Sequence, residues 1–140
     1  MITTLNDSQA RELLQSARVA RLGCIANGEP YITPINYSFE DDCIYSHSLA
    51  GLKIAALRNN PRACVQVDRV ESDLRWRSVI AFGNFEEIVK PSERKEILNN
   101  LLKQFPMLTP VESAIAEDAE AQKVIVFRIK VDRVTGLSEG

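Results

Sequence analysis

Apolar residues recur along this chain at two spacings, and each change of spacing marks a change of element. Ala10, Leu13, Leu14 and Ala17 fall on one helical face, the pattern of a helix lying on a larger body. Leu5, Asn6 and Gln9 supply its start: Asn6 can cap, Gln9 stands three residues on, and Leu5 can pack against Ala10. The spacing predicts a helix from about Asp7 to Ala17. Extended segments follow. VARLGCIA and YITPINYSF are separated by Asn27-Gly28-Glu29-Pro30, and Asn-Gly is a strong hairpin signal, so the two are expected to pair antiparallel. In the second, Tyr31, Thr33, Ile35, Tyr37 and Phe39 alternate with Ile32, Pro34, Asn36 and Ser38. Pro34 has no N–H to give, which places an edge or irregularity there.

CIYSH reads as a third strand after the acidic turn Glu40-Asp41-Asp42, and a short helix is expected from about Gly51 to Arg58. It should stop by Asn60, because Pro61 disfavours helical geometry in the residue before it. RACVQVDRV and RWRSVIAFGNFEEIV are two further strands joined by Glu71-Ser72-Asp73, with Gly83 marking a bulge or bend. SERKEILNNLLKQF places Ile97, Leu98, Leu101, Leu102 and Phe105 at helical spacing up to Pro106, and a weaker helical stretch covers Val111 to Ala121. KVIVFRIKVDRV closes the series as a strand with Ile125, Phe127, Ile129 and Val131 on one face. Six strands, the first five linked by short connections, predict a mainly β fold with flanking helices: an antiparallel sheet closed, or nearly closed, into a small barrel.

Composition narrows what such a barrel does. At 140 residues, 45% hydrophobic and 26% charged, one globular domain over residues 1–140 is expected. A formal charge of −2 leaves no broad cationic field for nucleic acid. The first residues lack a secretion-signal pattern and no apolar run reaches the roughly 20 residues of a membrane span, so the expected location is the cytoplasm. Cys24, Cys43 and Cys64 are odd in number and set among apolar residues, which reads as buried thiols, and one histidine without HExxH gives no metal site.

The stretch YSHSLAGLKIAALRNNPR, residues 45 to 62, gathers three sources of anion affinity: serine hydroxyls, the N–H groups heading a helix, and Lys53. That set suits a phosphate monoester; the plainer alternative is that Ser48 caps the helix and Lys53 is solvated. With no GxxxxGK[ST] and no GxGxxG in the chain, neither a nucleoside triphosphate cradle nor a dinucleotide fold is supported. In DLRWRSV, Arg75 and Arg77 share one side of a strand with Trp76 on the other, so an arginine could pair with phosphate beside a stacking ring; a solvated strand face is the alternative. His47 could be a general acid or base, a haem ligand, or a hydrogen-bonded residue at a strand end.

Taken in order, P-x-N-Y at residues 34–37, H-S at 47–48, G-x-K at 51–53, N-P at 60–61 and R-S-V at 77–79 with Gly83 beyond resemble the FMN-binding split β-barrel family related to pyridoxamine 5′-phosphate oxidase. Within it, the subgroup that includes nitroimidazole-resistance proteins is the nearest match, over roughly residues 12 to 135. The resemblance implies a homodimer with FMN in a cleft between subunits and an oxidoreductase activity. It aligns Lys53, Ser46 and Ser48 with the phosphate clamp, Thr33, Pro34, Ile35 and Asn36 with the strand beside the flavin ring, and Arg77 and Ser78 with the pair that completes the site. His47 matches a histidine facing the cavity, a candidate catalytic residue. NADH or NADPH would serve as electron donor and a small molecule as acceptor. Leu52-Lys53 in place of an Arg-Lys pair, and a chain ending at Gly140, argue against pyridoxamine phosphate oxidation itself. A non-catalytic flavin-binding or flavin-sensing module, haem binding through His47, and binding of the deazaflavin F420 are the alternatives.

Overall fold

The computed structural model describes residues 1–104 and 124–140. Along the chain these form β1 (Ile2–Thr4), α1 (Asp7–Ser16), β2 (Val19–Ala26), β3 (Glu29–Asn36), β4 (Ser38–Glu40), β5 (Cys43–Ser48), α2 (Leu52–Asn59), β6 (Arg62–Ser72), β7 (Arg75–Glu87), α3 (Pro91–Gln104) and β8 (Ile125–Glu139). All six expected strands are present. Two short ones are additional: β1, which pairs with the end of β8, and β4, cut from the expected second strand at Tyr37. The helical stretch expected over Val111 to Ala121, and Phe105 with Pro106, lie outside the described residues.

Every pairing is antiparallel, in the order β3-β2-β6-β7-β8-β5-β4. The two outermost strands, β3 and β4, are separated in sequence by Tyr37 alone. The sheet must therefore curl until its edges meet, and the result is a barrel split along the line where β3 faces β5 without a shared ladder. Tyr37 fixes the corner. It is 1% exposed, its N–H donates to Arg18 O at 3.2 Å and its hydroxyl to Leu14 O at 2.5 Å.

Local signals account for the rest. Asn6 Oδ1 accepts from Gln9 N at 2.8 Å and Gln9 Oε1 from Asn6 N at 3.0 Å, the reciprocal cap the sequence predicts, with Leu5 and Ala10 both buried. Asn27 and Gly28 take positive φ of 54° and 77°, the turn that matches strand twist in a two-residue hairpin. At Gly83 the β7–β8 register slips by one residue, leaving Asp132 in a bulge, and a Cβ at Gly83 would lie 2.2 Å from Lys130 O.

The core is the barrel interior: Ala20, Leu22, Val65, Val67, Val79, Ala81, Phe127 and Ile129, closed by Leu13 and Leu14 of α1 and by Ile54 and Leu57 of α2. A second cluster, Ile88, Leu98, Val124 and Val126, lies where α3 covers the outside of β5 and β8. The start of β8 is thus buried on both faces, beyond the single apolar face expected there, because a helix takes the place of solvent.

Candidate functional site

The expected site residues belong to three places in this barrel. The first is the split. Alternation turns Thr33 and Ile35 inward, half-buried and buried, and leaves Pro34 and Asn36 exposed on the outer face of β3. Ser46, on β5, is 1% exposed, and its hydroxyl donates to Asn36 O at 2.7 Å, the polar stitch that ties β5 to β3 where no ladder does. The structure so brings P-x-N-Y and S-H-S together, with Ser46 serving the join. His47, one residue on, turns to the opposite face, half-buried and across the ladder from Val126.

Beyond the split the chain enters α2. Ser48 donates to Leu49 O at 2.8 Å and leaves the helix start alone, and Gly51 at the cap position offers no side chain, so the first N–H groups of α2 have no side-chain cap. Lys53 stands in that uncapped turn, half-buried, with no carboxylate partner among the described residues. Burial lowers its pKa, and the nearby Cys24 thiolate form opposes that shift. A partly desolvated cation beside free N–H groups is matched by an anion, and a phosphate satisfies both at once. The solvated Lys53 and capping Ser48 of the plainer alternative are not what is found.

The third place is β7. Arg77 and Ser78 alternate, so they face opposite sides of the sheet: Arg77 lies across from Arg69 and Ser138, and Ser78 across from Asp68 and Leu137. Ser78 Oγ accepts from Gln66 Nε2 at 3.1 Å, which also donates to Asp68 at 3.0 Å, and Asp68 reaches Arg21 at 3.6 Å. This half-buried polar chain sits on the outer face among exposed Val19, Ile25, Ile32, Val70 and Leu137. Arg21, Gln66, Asp68 and Arg69 were not singled out in the sequence; their alternation along β2 and β6 carries the only signal, and it does not say which neighbours they meet. The three cysteines form no disulfide; Cys24 and Cys43 are buried, and Cys64 is half-buried with its sulfur over Gly23.

A family model for pyridoxamine 5′-phosphate oxidase matches residues 6–138. The chain belongs to that family. Among solved structures of this fold, an FAD-binding protein from Mesorhizobium loti is 30% identical, with a TM-score of 0.82 over 100% of this chain and 99% of that one. A candidate 5-nitroimidazole antibiotic resistance protein from Bacteroides thetaiotaomicron, 21% identical with a TM-score of 0.80 over 99% of this chain and 87% of that one, shares the fold. An uncharacterised protein of Rhizobium meliloti (strain 1021) is 26% identical over 141 residues, 96% of this chain and 93% of its own. The match extends through both α2 and β7, so the split, the uncapped helix and the Arg77-Ser78 strand all fall within the family's span. Among the described residues no helix is long and apolar enough to cross a membrane.

Proposed function

We propose that this chain binds a flavin by its phosphate and works as a flavin-dependent oxidoreductase. The observation that carries the reading is Lys53: a half-buried ammonium without a carboxylate partner among the described residues, in the uncapped first turn of α2. A flavin's phosphate complements it, and membership of the family together with whole-length similarity to an FAD-binding protein supports the flavin. FMN, with one phosphate, is the smallest flavin that meets this demand. When bound, the flavin supplies the redox chemistry; the chain's share is to hold it and exclude water.

The reading extends to a homodimer with the flavin at the subunit boundary. It is supported by the exposed apolar residues of the outer face, Ile32 at 67% exposed and Val70 at 65% among them. A reduced nicotinamide is the proposed electron donor and a small electron-poor molecule the acceptor. His47 is the proposed active-site histidine.

The test is an absorbance spectrum of purified protein mixed with FMN or with FAD, repeated after desalting. Bands retained at roughly 370 and 450 nm, those of an oxidised flavin in general, are the expected result, and a colourless protein with both flavins sinks the reading. Anaerobic NADH or NADPH should then bleach the longer-wavelength band. Retention without bleaching would leave a flavin carrier in place of an enzyme. His47→Ala should leave retention intact and slow turnover; equal turnover removes His47 from the chemistry.

A further inference from the structure

At the end of the barrel away from α2, one row of side chains crosses four strands on a single face. Arg69 on β6 lies opposite Arg77 on β7, Arg77 opposite Ser138 on β8, and Ser138 opposite Thr3 on β1. Cross-strand partners share a face, and like charges placed opposite each other destabilise a ladder. Neither Arg69 nor Arg77 has a carboxylate partner among the described residues. Arg69 Nη2 donates to Ser16 Oγ at 3.2 Å, and the hydroxyls of Thr3 and Ser138 are 3.0 Å apart. Two guanidinium groups with no carboxylate partner among the described residues therefore lie along one row with the hydroxyls of Ser138 and Thr3, and Ser16 holds Arg69 from α1.

Of these, Arg69, Arg77 and Ser138 border a hollow of about 220 Å³ that also takes in Glu71, Arg75, Trp76, Glu139 and Gly140. Its two side-chain carboxylates are already partnered: Glu71 by Arg75 at 2.9 Å, and Glu139 by the Trp76 indole N–H at 3.2 Å and the N-terminal ammonium at 3.9 Å. The volume is below that of a site enclosing a whole drug-sized ligand. It suits one charged end of a molecule, and the donors are those that phosphoryl oxygens accept from.

We propose that this row is a second anion site, built for the phosphoryl end of a nucleotide. It goes beyond the flavin reading and needs neither flavin nor Lys53. Cys64, beside the Cys24 that Lys53 senses, is five residues from Arg69 along β6, roughly 16 Å in an extended strand.

Trp76 is the only tryptophan of the chain and borders the hollow, so its fluorescence reports occupancy. Titrating the full chain with inorganic pyrophosphate should give a saturable change. Arg69→Gln and Arg77→Gln should each weaken the affinity about tenfold, and Lys53→Ala should leave it unaltered. Calorimetric titration with ADP separates the sources: affinity equal to pyrophosphate means the phosphoryl group alone is recognised, and tighter binding means that the nucleoside also makes contact. Either supports the site. No saturable signal with either ligand overturns it, as does a signal that the double Arg69→Gln, Arg77→Gln variant retains at full affinity. Because Lys53→Ala is expected to lose flavin and keep this signal, failure of one reading is distinguishable from failure of the other.

Discussion

At the scale of single residues, three side chains hold the arrangement and each gives a measurable expectation. Lys53→Ala removes the one cation of the α2 turn and should weaken flavin binding at least tenfold, about the loss of one charge-assisted hydrogen bond; equilibrium dialysis with FMN measures it. Ser46→Ala leaves Asn36 O without its partner in a buried join and should cost about 1–3 kcal/mol in urea denaturation. Tyr37 makes a pH-dependent contribution. Burial pushes its phenol well above the usual 10.0. The native state therefore keeps a proton that the unfolded chain releases from about pH 10 upward. Its contribution is complete below that pH and is lost as pH rises toward the folded value. Tyr37→Phe should lower stability at pH 8 by about 1 kcal/mol and flatten the decline above pH 10, read from urea midpoints across that range. The place of Lys53 in the first turn of a helix was legible in the sequence because a lysine after a serine-glycine stretch at the head of an apolar run is a local pattern. That Ser46 serves the barrel, and Ser48 its neighbour's carbonyl, was not legible, since both bonds depend on where the backbone turns.

Elements were read well where their signals are local. Asn6 and Gln9 announce the cap of α1 in four residues, and both bonds are present; Asn6→Ala should cost about 1 kcal/mol of stability in thermal or urea melts. Gly83 announces a bulge, and the register slip sits there. Gly83→Ala places a methyl 2.2 Å from the Lys130 carbonyl oxygen, so β7 and β8 must part. The expected loss is about 1–3 kcal/mol or more, and a variant as stable as the parent would show that the strands give way freely. The motif R-S-V behaves differently. Its two polar residues are adjacent, and a strand's period of two sends them to opposite faces, so Arg77 joins Arg69 and Ser138 while Ser78 joins Gln66. The double burial at the start of β8 was likewise hidden, because it comes from α3, whose sequence does not say which strand it covers.

At the scale of the whole molecule, closure and association follow from which edges and faces remain. On the proposed dimer, Ile32→Asp, on an outer-face position 67% exposed, should leave the barrel folded, shift sedimentation from dimer to monomer and lower flavin retention with it. A variant that sediments unchanged would direct the search to another face. By itself the sequence determined what neighbours along the chain decide: the alternation of the strands, the Asn27-Gly28 hairpin, the capped helix, the stop at Asn60-Pro61, and the ordered motifs that carry the family. These are set by backbone sterics and periodicity over a few residues. The tertiary structure alone decided what depends on pairing across the chain. It bends β3 into β4 at Tyr37 so that the sheet meets itself, and it leaves Lys53 half-buried with no carboxylate partner among the described residues. It also lines up Arg69, Arg77, Ser138 and Thr3 across four strands. Arg77 meets Ser138 and Ser138 meets Thr3 there, the latter pair 135 positions apart in sequence, because ladder register, which no local pattern encodes, sets who faces whom.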